Sequence, residues 1–146
     1  MTKPGQTSDR TVDFLSIYPT LTDLAGIATP QHVQGKSIRT LLADPQAAWA
    51  QPALTTYRFN NHSVRTEGWR YIRYANGDEE LYDEANDPYE WANLAKDPKY
   101  AVRKAEFGGL LPASNTPDIN GVDGGRKKRK GSGGKAAADR TGGDDN

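Results

Sequence analysis

Asn76-Gly77 limits what this chain can become more than any other feature. It separates WRYIRYA (69–75) from EELYD (79–83), and a glycine in that place accepts the left-handed backbone of a tight turn. An antiparallel strand pair is therefore expected here. Glu67-Gly68 supplies a second tight turn, between SVRT (63–66) and WRYIRYA, and ALTTYRF (53–59) has strand composition. The simplest reading is a four-strand meander over 53–59, 63–66, 69–75 and 79–83. On the third strand Trp69, Tyr71 and Arg73 share one face and Arg70, Ile72 and Tyr74 the other. Alternating aromatics and arginines of this kind point to core on one side and solvated guanidinium on the other.

Helices flank the sheet. Val12 to Leu15 is a short apolar run that reads as a strand. A helix over 16–25 follows, with Ser16 as cap, Pro19 in the first turn and Gly26 at the end. Ile17, Leu21, Leu24 and Ala25 lie on one of its faces. GKSIRTLLADP predicts a shorter helix capped by Ser37 and stopped by Pro45, and Trp49 anchors the connector after it. Two further helix starts lie beyond the meander. Asp87, Pro88 and Glu90 have capping-box spacing, and Asp97-Pro98 repeats its first two elements. The second helix continues through Ala105 and stops at Gly108-Gly109.

Hydrophobic residues make up 35% of the 146, a low share, and the deficit is concentrated at one end. From Gly121 to Asn146 there are eight glycines, seven Lys or Arg, four Asp and a single apolar residue larger than alanine, Val122. Such composition predicts a disordered tail. Residues 1–120 carry twelve basic and fifteen acidic residues, a mildly acidic body that argues against nucleic-acid binding. The run RKKRK (126–130) reads as a solvated tail or as an electrostatic contact with a polyanion. No apolar run approaches the roughly 18 residues of a membrane span, and the N-terminus lacks the apolar core of a secretory signal. As written, the chain is expected to remain in the cytoplasm.

Catalytic chemistry finds few residues to work with. There is no cysteine, so disulfides, thiolate metal sites and cysteine nucleophiles are excluded. A serine triad would need His32 or His62 as base, and no Gly-x-Ser-x-Gly elbow presents a serine. Asp83, Glu84, Asp87 and Glu90 cluster without the ligand alternation of a calcium loop, and capping already employs two of them. Asn60, Asn61 and His62 fall at a loop-to-strand junction, where contacts with substrates concentrate. His62 and Arg65 have the chemistry to bind a sulfate or a uronate carboxylate. Asn61, His62 and Arg65 are therefore the candidate substrate-binding residues; no catalytic or metal-binding residue is expected.

VDFLSIYPTLTDLAGI, VQGKSIRTLL, NNHSVRTEGWRYIRYANGDEELYDEANDPYEWANLA and LLP, in this order, resemble the C-terminal portion of a type I sulfatase, most closely the bacterial iduronate-2-sulfatase-like branch. The likeness runs from about Lys3 to Pro117. It implies a sulfuric ester hydrolase acting on sulfated sugars, with an alkaline-phosphatase-like fold. In that fold a large α/β domain holds the active site, and a C-terminal subdomain has a four-stranded antiparallel sheet packed by a helix. The family uses a formylglycine made from the Cys (or a Ser in its place) of a Cys-x-Pro-Ser-Arg motif and a divalent cation, usually calcium. Neither the motif nor an Asp-Asp metal pair near the start occurs here, so both cofactors are expected only in a missing N-terminal domain.

The resemblance divides the chain into a flexible segment 1–10, a remnant of the catalytic domain at 11–52, the α+β C-terminal subdomain at 53–118 and the tail 119–146. It implies a C-terminal fragment, inactive alone, that arises from a truncated gene, a late start codon or one half of a split gene. In the split case a separately encoded sulfatase N-terminal domain would be its partner, and the complemented form would take a sulfated saccharide. Full-length relatives are exported. The alternative is a non-enzymatic module that binds sulfated glycans or polyanions. Segment 11–15 and helix 16–25 would pack on the missing domain. Without it they expose apolar surface, which predicts marginal stability or aggregation.

Overall fold

In a computed structural model of the protein, residues 4–117 are described. The tail 119–146 and its basic run lie outside the described residues. A four-stranded antiparallel sheet forms the centre: β1 (Ala53–Thr56), β2 (His62–Thr66), β3 (Trp69–Arg73) and β4 (Glu79–Asp83), in the spatial order β1-β2-β3-β4. Among the described residues there are also three α-helices: α1 (Ile17–Leu24), α2 (Arg39–Ala43) and α3 (Ala101–Gly108). Among the described residues no helix is long and apolar enough to cross a membrane.

The meander follows the turns. Tyr74 N–H donates to Asp78 O at 2.9 Å, and Gly77 takes φ +89°, so the β3–β4 loop closes where the Asn-Gly pair stands. Only the glycine of that pair is left-handed, as in a three-residue loop that ends in a left-handed residue rather than a two-residue turn. β1 is shorter than its composition suggests. Arg58 and Asn60 have φ +56° and +59°, and Tyr57 N–H donates to Asn61 O at 2.9 Å, so residues 57–61 form the connection to β2.

Register decides the faces. Val64 lies opposite Tyr71, and Tyr71 opposite Leu81. Residues directly across an antiparallel pair share a face, so these three form one row. With Ala95, Phe107 and Leu111 they make the buried core, and Leu54, Trp69, Leu94 and Tyr100 pack against its edge. Helix α3 closes this face through Phe107, whose ring centroid lies 6.1 Å from that of Tyr71.

The two helix starts behave differently. Asp97 accepts Lys99 N–H at 2.9 Å and opens a 3-10 turn, Pro98–Tyr100, that runs into α3. Asp87-Pro88 starts no helix. Glu90 adopts φ +56°, which breaks a helical turn, and its carboxylate is drawn to Arg70 instead of back to the cap. The segment then covers the edge of β4: Leu94 N–H donates to Leu81 O at 2.8 Å, and Leu81 N–H to Asn93 Oδ1 at 3.2 Å. These bonds satisfy edge groups that a helix could not reach.

The N-terminal part also departs from expectation. Val12–Leu15 is not a strand. A strand needs a neighbour for its backbone groups, and none of the described strands pairs with it. The chain turns instead, with Ser16 N–H donating to Asp13 O at 3.2 Å in a 3-10 turn over Phe14–Ser16. Ser16 precedes α1 but makes no side-chain cap. Ser37 accepts Arg39 N–H at 3.2 Å and donates to Asp23 at 2.6 Å, so it braces α2 against α1. Arg10, expected in a flexible segment, is held by two bonds to Glu67, at 2.7 and 2.8 Å, and by the carbonyls of Gln46 and Ala47.

Candidate functional site

The sheet geometry separates the three candidate substrate residues. His62 is an even number of positions from Val64 and faces the core; it is 2% exposed. Its Nδ1 lies 3.0 Å from Thr56 Oγ1, and its Nε2 has no hydrogen-bond partner in the structure. Arg65 is an odd number of positions away and points to the other face, where its Nε donates to Glu84 at 3.0 Å. Asn61 holds the loop: its Oδ1 accepts Ala75 N–H at 3.2 Å, and its Nδ2 donates to Phe59 O at 3.0 Å. His62 and Arg65 therefore cannot converge on one anion within this chain.

Two polar clusters are assembled instead. On the outer face Arg70 donates to Ser63 Oγ at 3.2 Å and to both oxygens of Glu90, beside the Arg65–Glu84 pair. Burial raises the pKa of Glu84, Arg65 opposes that shift, and the neighbouring Glu90 carboxylate adds to it. Tyr82, which donates to Glu80 at 3.0 Å, is pushed up to about 12, first by burial and then by that carboxylate. At the opposite edge of the core Lys104 meets Glu79 at 2.7 Å, and Tyr71 donates to the same carboxylate at 2.6 Å. Nothing in the sequence pattern pointed to this trio, because it joins β3, β4 and α3. The Lys104 and Tyr71 hydrogen bonds hold Glu79 below the usual carboxylate range, and burial holds Tyr71 well above the usual phenol range. Both groups keep one charge state through neutral pH, which suits an ion pair and not an acid–base couple.

The acidic cluster is likewise shared out. Asp83 accepts from Asn86, Asp87 Oδ2 accepts Ala92 N–H at 2.9 Å, and Glu84 and Glu90 face arginines. Among the described residues no group of three or more His, Asp or Glu side chains converges as a metal site requires. These residues do not fit the calcium and formylglycine chemistry that the resemblance implies. His32 lies elsewhere, in an apolar groove of about 520 Å³ with Phe14, Leu15, Tyr18 and Val33.

That groove belongs to the most unusual surface of the molecule. Helix α1 is turned inside out. Pro19, Thr20 and Thr22 are buried, while Ile17, Leu21 and Leu24 are more than half exposed and Phe14 is 90% exposed. The inward threonines are satisfied: Thr20 Oγ1 accepts Ile38 N–H at 3.0 Å, and Thr22 and Thr29 hydroxyls meet at 2.6 Å. Large exposed apolar patches of this kind are uncommon on soluble monomers and characteristic of interaction sites.

A family model for the C-terminal region of N-sulphoglucosamine sulphohydrolase matches residues 1–111. The chain belongs to this sulfatase C-terminal family. A sulfatase of Formosa agariphila is 40% identical over 111 residues, covering 76% of this chain and 22% of the relative. A delta 4,5-hexuronate-2-O-sulfatase of Bacteroides thetaiotaomicron is 38% identical over 106 residues, covering 66% and 22%. A protein solved with its substrate D-glucosamine-2-N,6-O-disulfate superposes with a TM-score of 0.58 at 28% identity, covering 66% of this chain and 22% of that one. The sheet and its helix are thus the C-terminal subdomain of the alkaline-phosphatase-like sulfatase fold. The sulfatase C-terminal chain spans about a fifth of the length of these relatives.

Proposed function

We propose that this chain is the C-terminal subdomain of a sulfuric ester hydrolase and works by docking on a catalytic α/β domain through the α1 face. The observation that carries this reading is the reversed polarity of α1, whose apolar side chains face outward over satisfied threonines. In a helix of a self-contained domain the apolar side faces the core. Here the core is built without it. The partner would be a sulfatase N-terminal domain, and formylglycine and calcium would reside there.

The substrate class we assign is a sulfated saccharide of the kind cleaved by iduronate-2-sulfatases. The Bacteroides relative, a delta 4,5-hexuronate-2-O-sulfatase, supports this choice. The purified chain is expected to give no turnover of an aryl sulfate with calcium present, because it has no Cys- or Ser-x-Pro-Ser-Arg segment from which formylglycine could be made. Calcium-dependent hydrolysis by the chain alone would overturn the assignment.

A further inference from the structure

Tyr89 and Trp91 stand apart from both the core and the α1 face. Their rings stack with centroids 5.4 Å apart and planes 21° apart, and they are 73% and 85% exposed. Aromatic side chains normally bury roughly 150–250 Å² each, and here neither does. The chain holds them outward under strain. Glu90, between them, has φ +56°, a region that disfavours any residue with a Cβ. Its backbone N–H is tied to Asp87 O at 3.1 Å, Ala92 N–H is tied to the Asp87 carboxylate, and Arg70 grips the Glu90 carboxylate at 3.0 and 3.1 Å. Strain fixed by this many contacts is characteristic of a working surface.

Area argues for a small occupant. Two rings offer at most about 500 Å², short of the roughly 800 Å² that each partner contributes to a stable protein interface. The flanking exposed residues, Ala85, Asn86, Pro88 and Ala92, add no large apolar side chain. A pyranose ring fits these limits. The C–H bonds on one of its faces carry partial positive charge and suit the negative face of an aromatic ring.

We propose that the Tyr89–Trp91 pair is a saccharide-stacking platform that takes the C–H face of a pyranose. The inference does not depend on the sulfuric ester reading, because the rings meet carbon and not sulfate. Saturation-transfer NMR on the 146-residue chain would test it, with methyl β-D-glucopyranoside and D-glucosamine-2-N,6-O-disulfate as probes. Both sugars are expected to bind with a Kd on the order of 1–10 mM, and Trp91→Ala or Tyr89→Ala to weaken both about tenfold or more. Ile17→Glu, on the α1 face, is expected to leave both affinities unchanged. Three results would each overturn the proposal: no saturable binding below about 100 mM, variants that bind like the unaltered chain, or binding of the sulfated probe alone.

Discussion

Glu79 shows how a single side chain can tie three elements together. Its carboxylate accepts from Lys104 on α3 and from Tyr71 on β3 while it sits on β4. These donors hold its folded pKa below the unfolded value. The contribution is therefore complete above the unfolded pKa, near 4.3, and is lost as the pH falls through the lower folded value. Lys104→Met is expected to be less stable than the parent at pH 7 and to lose less stability on acidification. Urea unfolding midpoints at pH 7 and at about pH 3 would read both, and equal pH sensitivity in the two proteins would refute the linkage. Phe107 is the complementary apolar case, 3% exposed and packed on Tyr71. Phe107→Ala is expected to cost about 3–5 kcal/mol, a large part of a typical domain's stability, visible as a drop in the denaturation midpoint.

At the scale of the elements, the loop of residues 33–36 depends on Gly35. A Cβ there would collide with the Leu15 carbonyl oxygen, and backbone cannot swing aside as a flexible side chain can. Gly35→Ala is expected to force loop and 3-10 turn apart at a cost of about 1–3 kcal/mol, measured by chemical denaturation. A neutral result would mean the two segments are not in fixed contact. This contact, and most of the sheet, differ in how far the residues announced them. The Asn-Gly and Glu-Gly pairs placed the hairpins, since turn chemistry is local, and Asp97-Pro98 placed the start before α3 for the same reason. Asp87-Pro88-x-Glu90 carried the same local signal and misled, because Arg70, twenty residues before Glu90, takes its carboxylate. The polar trio His62, Asn61 and Arg65 looked like one site in the sequence. Strand alternation sends His62 inward and Arg65 outward, and Asn61 is consumed in the hairpin loop. The spacing of α1 showed its apolar face, the resemblance implied that this face is left exposed in the chain alone, and the packed structure turns it away from the core.

For the whole molecule, the consequence of that face is a chain that buries one core and leaves a second apolar surface open. The isolated protein is expected to self-associate, and Ile17→Glu with Leu21→Lys to restore a monomer without changing the core. Sedimentation velocity would show the change in mass. Circular dichroism is expected to show a melt below about 60 °C for the unaltered chain, the upper end of the usual mesophile range. A cooperative melt above it, in a monomer, would mean the α1 face needs no cover. The most direct test is the rate of aryl sulfate hydrolysis when this chain is co-expressed with the catalytic domain of the Formosa agariphila sulfatase, made without its own C-terminal subdomain. The unaltered chain is predicted to restore turnover and the Ile17→Glu, Leu21→Lys variant to fail. Equal turnover with both would contradict the docking role of α1.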